Sequence, residues 1–188
     1  MQELKNRIKN DGHIISESIL KVDSFLNHQI DWKLMENIGI EFHKIFGHLK
    51  IDKIVTIEAS GIVIGVMVAK ALNLPLVYAK KGKPSTLSKA FCTQVFSFTK
   101  QKNSDISISK EYLKKDENIL VVDDFLASGN AIIGLLDLIT QAQANLIGVG
   151  IVIEKSFQTG RKRLKALDIN LHSLAQIESL QDGKVKFL

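Results

Sequence analysis

The residues best suited to chemistry in this chain stand together at 119–131, beginning with the apolar run Ile119, Leu120, Val121 and Val122. The acids Asp123 and Asp124 follow, then Phe125 and Leu126, then the small-residue turn Ala127, Ser128, Gly129, Asn130 and Ala131. A run that is apolar at every position predicts a strand buried on both faces, as in a parallel sheet covered by helices. Ligands of such sheets gather outside the carboxyl ends of the strands, where the two acids fall. The turn, followed by the helical spacing of Ile132, Ile133, Leu135 and Leu136, offers backbone N–H groups at a helix N-terminus, which suits a phosphate. Two carboxylates that accept from neighbouring hydroxyls, beside a phosphate cradle, match a ribose 5-phosphate. Acids and Ser-Gly at a strand end also serve as turn formers and helix caps, and acid pairs there bind magnesium in unrelated enzymes.

Four other stretches can join the same site. Glu58, Ala59, Ser60 and Gly61 again link a strand to a helix, either as a second phosphate-binding turn or as a cap. Residues 78–84 (Tyr-Ala-Lys-Lys-Gly-Lys-Pro) form a basic loop, able to neutralise a diphosphate or simply to face solvent. Residues 91–108 have the alternation and polar turn of a hairpin, which serves as a lid or as ordinary surface. At 153–157 (Ile-Glu-Lys-Ser-Phe), Lys155 can donate to an oxygen on a purine and Phe157 can stack on its face. A solvated Lys guarding the strand end is the plainer alternative.

Composition narrows the field. The 188 residues are 45% hydrophobic and 24% charged, ordinary for a globular chain, with room for one sizeable core. Two prolines and no low-complexity linker favour one domain over 1–188. The first seven residues are charged and amphipathic, without the apolar core of a secretory signal, and the longest apolar stretch, 62–69, is too short to span a bilayer. A lone cysteine, Cys92, suits a reducing compartment, so the expectation is a cytoplasmic protein. The net charge of +5 fits a small polyanion; with no zinc-finger or helix-turn-helix spacing, nucleic acid is not the expected partner.

The elements that must position these residues follow from periodicity. Residues 2–10 read as an amphipathic helix, residues 13–27 as extended and irregular, and Asp31 as the N-cap of a helix ending near Gly47. Strands are expected at 53–57, 76–79, 118–122, 146–153, 170–175 and 184–187, and helices at 61–72 and 129–142. Strands alternating with helices give a central parallel sheet flanked by helices, an α/β fold. The N-terminal 30 residues or so and the C-terminal segment are expected to cap its carboxyl edge.

The 123–131 segment resembles the motif that binds phosphoribosyl diphosphate (PRPP) in the type I phosphoribosyltransferases. One position departs from it: the family pattern closes with Thr two residues after the Gly, where Ala131 stands here, which removes a hydroxyl but keeps the backbone N–H groups. Residues 20–31 (Leu-Lys-Val-Asp-Ser-Phe-Leu-Asn-His-Gln-Ile-Asp) and 151–157 (Ile-Val-Ile-Glu-Lys-Ser-Phe) are similar to those of the bacterial members of that family that act on xanthine. The resemblance runs over essentially the whole chain. It implies the type I phosphoribosyltransferase fold with a small hood over the base, and a homodimer.

By that likeness Leu20, Asn27 and Lys155 contact xanthine, Asp123 and Asp124 face the ribose hydroxyls, and Ala127, Ser128, Gly129, Asn130 and Ala131 hold the 5-phosphate. It implies transfer of the phosphoribosyl group from PRPP to xanthine, with Mg2+ brought in on the diphosphate and no metal site built by the protein. No catalytic residue is assigned, because the basic loop and hairpin match the family less clearly. A phosphoribosyltransferase for adenine, guanine or hypoxanthine, and a PRPP-sensing or RNA-binding regulator, remain as alternatives.

Overall fold

The structure is a computed structural model and describes residues 1–82, 89–97 and 102–188. Ten strands and five helices are present among them. An N-terminal helix, α1 (Gln2–Asp11), leads into a small antiparallel pair, β1 (His13–Ser16) and β2 (Ile19–Lys21). The next five residues, Asp23–Asn27, form a π-helical turn. This corrects the expectation that 13–27 is wholly non-helical: the wide turn buries the adjacent Phe25 and Leu26 together, which an extended segment would point to opposite sides. Helix α2 (Trp32–Phe46) then starts at Asp31, whose side chain accepts from the Leu34 N–H at 3.2 Å, as the sequence predicts.

Strand and helix then alternate: β3 (Lys53–Ile57), α3 (Ser60–Leu72) and β4 (Leu76–Lys81), then the hairpin β5 (Ala90–Ser97) and β6 (Lys102–Ser109). After them come β7 (Asn118–Leu126), α4 (Asn130–Gln141), β8 (Asn145–Lys155), α5 (Gly160–Lys165), β9 (Leu171–Ser179) and β10 (Lys186–Phe187). The main sheet has eight strands in the order β10-β9-β8-β7-β3-β4-β6-β5. Its middle five are parallel, as expected. The whole sheet is mixed, however, because β10 pairs antiparallel with β9, and the β5–β6 hairpin joins β4 antiparallel.

Both faces are covered, which accounts for the unbroken apolar runs. Ile54, Leu120, Val122 and Val152 pack with α1, α2 and α3 in one buried cluster. Their neighbours Val55, Ile119, Val121, Val149 and Ile151 pack with α4 and α5 in the other. β7 does not stop at its acids: Asp123 pairs with Ile151, Phe125 with Ile153 and Leu126 with Glu154. The backbone continues the ladder whatever the side chain, so the strand runs four residues beyond the expected end at 122 and meets the turn at Ala127. β4 likewise runs on through Lys80 and Lys81. Lys83 and Pro84 of the basic loop, and Phe98, Thr99, Lys100 and Gln101 of the hairpin, lie outside the described residues.

The Asp31 cap also accepts an ion pair from Arg7 of α1 at 3.4 Å, so it ties two helices to one residue. Asp31→Ala should lower unfolding stability by about 1 kcal/mol, the typical value of an N-cap. The check is urea denaturation at fixed pH, where the midpoint should fall without a change in slope.

Candidate active site

β3 and β7 lie side by side and parallel, but α3 leaves β3 toward one face and α4 leaves β7 toward the other. The two connections diverge and open a crevice at the strands' carboxyl ends. A cavity of about 330 Å³ fills it, lined by Glu58, Ala59, Ser60 and Gly61 from the β3–α3 turn and by Asp123, Asp124, Phe125, Ala127, Ser128, Asn130 and Ala131 from the end of β7 onward. Lys81 of β4 and Val95, Phe96, Ser104 and Ile106 of the hairpin complete the wall.

The two acids differ in setting. Asp123 is only 4% exposed, and its Oδ1 accepts from the backbone N–H of Asp124 at 3.0 Å. Burial pushes its carboxyl well above the ordinary aspartate range, and the charge of Asp124 pushes the same way, against that hydrogen bond and nearby Lys81. Gly61 is required here: a Cβ on it would collide with Thr56 Oγ1 and Asp123 Oδ1. Thr56 Oγ1 is itself buried, with no hydrogen-bond partner among the described residues. The peptide between Glu58 and Ala59 is cis, and Glu58 Oε1 accepts from the Lys81 N–H at 2.5 Å, joining the turn to β4.

Across the crevice, Gly129 takes φ +84°, a left-handed conformation that favours glycine, and α4 begins at the next residue. The first N–H groups of a helix have no partner within it, so this turn presents donors to the cavity. A macrodipole pointing its positive end the same way adds to the attraction for an anion.

The N-terminal segment reaches this crevice. Asn27 Nδ2 donates to Asp124 Oδ2 at 2.9 Å and to Ser60 Oγ at 3.0 Å, so one amide bridges the two turns. Lys155, the last residue of β8, donates from Nζ to Ser18 O at 2.8 Å, in the β1–β2 connection, and lies 5.4 Å from the centroid of the Phe125 ring. Burial lowers its pKa. Beneath it Glu154 is fully buried and accepts from Arg161 Nε and Nη2, Ser156 Oγ and Ser173 Oγ. Burial alone would raise that carboxyl, but these bonds and the Arg161 charge outweigh it and hold the pKa below the usual value.

Of the residues expected from sequence, Asp123, Asp124, Ala127, Ser128, Asn130 and Ala131 line the cavity, and Gly129 shapes its turn. Asn27 and Lys155 reach it through Asp124, Ser60 and Phe125. Leu20, the middle residue of β2, turns into the core outside the cavity wall, and Phe157 is exposed and likewise not part of it. Sequence reasoning passed over Phe125, Glu154 and Arg161. It assigned no role to Arg163 either, whereas Arg163 Nη1 donates to Ser128 O and Asn130 Oδ1, each at 2.6 Å.

Residues 24–180 match the phosphoribosyl transferase domain family. Over 188 residues the chain is 50% identical to a xanthine phosphoribosyltransferase of Oceanobacillus iheyensis, covering all of this chain and 97% of that protein. It is 53% identical over 189 residues to one of Clostridioides difficile strain 630, covering 100% of both. Among solved structures, an adenine phosphoribosyltransferase of Thermoanaerobacter pseudethanolicus superposes with a TM-score of 0.77 at 21% identity, covering 93% of this chain and 98% of that one. The yeast adenine phosphoribosyltransferase, complexed with an imino-altritol bisphosphate and adenine, gives 0.73 at 25% identity, covering 93% and 99%. The likeness at 21% bears on fold alone.

The raised pKa of Asp123 has a consequence for stability. A carboxyl whose folded pKa exceeds its unfolded value contributes stability in full below the unfolded value, near 3.8, and loses it as pH rises through the folded value. Asp123→Asn removes that loss, and its amide oxygen can still accept from the Asp124 N–H. The variant should therefore melt above wild type at pH 7 to 8, with the gap closing as the pH falls toward 4. Thermal melts across that pH range check it; a gap that widens on acidification would contradict the buried, protonation-prone carboxyl.

Proposed function

The chain belongs to the phosphoribosyl transferase domain family, and from that premise we propose that it transfers the 5-phosphoribosyl group of PRPP to xanthine, giving xanthosine 5′-phosphate and diphosphate. The observation that carries the choice of base is the pair of donors at the rim of the crevice, Lys155 Nζ and Asn27 Nδ2. Xanthine has ring oxygens where adenine has an amino group and a hydrogen, so two donors suit it and leave adenine mismatched. Identity of 50–53% over the full length to proteins named xanthine phosphoribosyltransferase supports the same base.

In this reading the 5-phosphate sits on residues 127–131 and the ribose hydroxyls donate to Asp123 and Asp124. The 59–61 turn and Lys81 face the diphosphate. The C1–oxygen bond breaks with its electron pair leaving on diphosphate, and a ring nitrogen of the base bonds to C1 and gives up its proton to the departing diphosphate or to solvent. The sugar passes through oxocarbenium character, so orientation, compensation of the leaving group's charge and exclusion of water supply the rate, with no covalent nucleophile. Lys155 holds the base by its oxygen, and Phe125, against which Lys155 already packs, offers an apolar flank.

Magnesium belongs to the substrate in this scheme. Among the described residues no group of three or more His, Cys, Asp and Glu side chains could hold a metal. The hard oxygens of Asp123 and Asp124 fit a cation that arrives already chelated by diphosphate and hydroxyls. The proposal extends to a homodimer acting in the cytoplasm, with residues 1–30 and the C-terminal segment as a hood over the base. The Asn27 and Ser18 contacts support the N-terminal part of that hood. No helix among the described residues is long and apolar enough to cross a membrane.

Turnover with PRPP, magnesium and each of four purines tests the assignment. The expected order of kcat/KM is xanthine first, guanine and hypoxanthine below it, adenine essentially unused; adenine in first place would overturn the base. Lys155→Ala should lower kcat/KM for xanthine about ten- to a hundred-fold, the range of one charge-assisted hydrogen bond, and Asn27→Ala should narrow the gap between xanthine and hypoxanthine. Asp124→Asn should weaken PRPP by a similar ten- to a hundred-fold, read as the KM for PRPP. An unchanged value would remove Asp124 from the ribose site.

A further inference from the structure

We propose that Arg163 is a positioning residue for the 5-phosphate, acting through the peptide groups of the 127–129 turn. The proposal rests on the reading that residues 127–131 hold that phosphate. Two successive carbonyls of the turn are held from behind by α5: the Gly160 N–H donates to Ala127 O at 2.9 Å, and Arg163 Nη1 donates to Ser128 O at 2.6 Å. In a trans peptide the C=O and the following N–H point in opposite directions. Holding Ala127 O and Ser128 O toward α5 therefore turns the N–H groups of Ser128 and Gly129 away from it. Donors fixed in advance at a phosphate need no reorganisation when the ligand arrives, which is where such groups gain their strength.

Three further observations fit this role. The contact between turn and α5 is close, for a Cβ on Gly129 would lie 3.2 Å from Gly160 Cα. Arg163 also serves the turn from its far side: the same Nη1 donates to Asn130 Oδ1 at 2.6 Å, while Asn130 Nδ2 donates to Phe96 O of the hairpin at 2.9 Å. The amide that opens α4 is thus engaged at both ends. The third is charge. Arg161, two residues earlier, is neutralised by Glu154, but no carboxylate among the described residues pairs with Arg163. A half-buried guanidinium bonded only to a carbonyl and an amide leaves its positive charge beside the turn that receives an anion.

The experiment is steady-state kinetics on the full chain with both substrates varied, using PRPP and whichever purine the wild type turns over best. Arg163→Met keeps the aliphatic stem and removes the donors. It should raise the KM for PRPP about tenfold or more while leaving the KM for the purine within roughly twofold. Arg163→Lys should recover most of the loss, because one ammonium nitrogen can serve two acceptors as Nη1 does. If Arg163→Met does not fold, Arg163→Gln gives the same reading, its shorter amide being unable to reach both acceptors.

Gly129→Val, measured alongside, separates the two layers of the argument. Wild-type PRPP kinetics in Arg163→Met with a raised KM in Gly129→Val overturns the role of Arg163 alone. Wild-type PRPP kinetics in both overturns the phosphate assignment, and the proposal with it. A rise in the purine KM in step with that for PRPP would mean general loosening and also overturns it.

Discussion

Everything chemical in this protein depends on where the chain reverses direction across its sheet. β3 and β7 are neighbours, yet the strands after β3 run outward on one side and those after β7 on the other. Two parallel strands whose following helices part to opposite faces cannot close over their own carboxyl ends. Both strand-to-helix turns therefore open on one gap, each with free N–H groups, and the acids of β7 stand between them. A sheet threaded in one direction would carry the same two turns with no shared space between them.

The strands that make this gap are legible in the sequence because they are buried on both sides. Runs such as Ile119 to Val122 leave no polar face, as a strand covered on both sides requires. The 127–131 turn is legible for a local reason, since a Gly with positive φ before a helix leaves its mark in the residue itself. The antiparallel margins are not: Lys80, paired with Ser107, carries nothing in its type that fixes the direction of its neighbour. The continuation of β7 through Asp123 to Leu126 is hidden for a similar reason, because backbone pairing is indifferent to a carboxylate pointing off the sheet.

The second layer of the site was harder to see. Glu154 lies next to Lys155 in sequence and points into the interior, where Arg161, Ser156 and Ser173 meet all of its acceptor capacity. A buried ion pair adds little to stability against an apolar substitute, but it fixes geometry. Here it anchors the end of β8 to the start of α5, and α5 in turn touches the Ala127–Gly129 turn. Lys155 and the 127–129 turn are therefore joined by one short helix, a link that the linear sequence does not display.

The Asn27 amide ties the two turns of the crevice to each other. Both of its hydrogens are engaged, one by Asp124 Oδ2 and one by Ser60 Oγ, acceptors that belong to the two turns a ligand would bridge. A ligand that claimed either oxygen would have to displace the amide, and its apparent affinity would fall by the fraction of molecules in which the amide holds that oxygen. The tie runs both ways. On the proposed reading of the site, a purine that drew Asn27 toward itself would free Asp124 for the sugar, and a sugar that claimed Asp124 would free Asn27 for the purine, by the same coupling free energy in each direction. A single side chain on a π-helical turn would thus couple the occupancies of the two halves of the crevice.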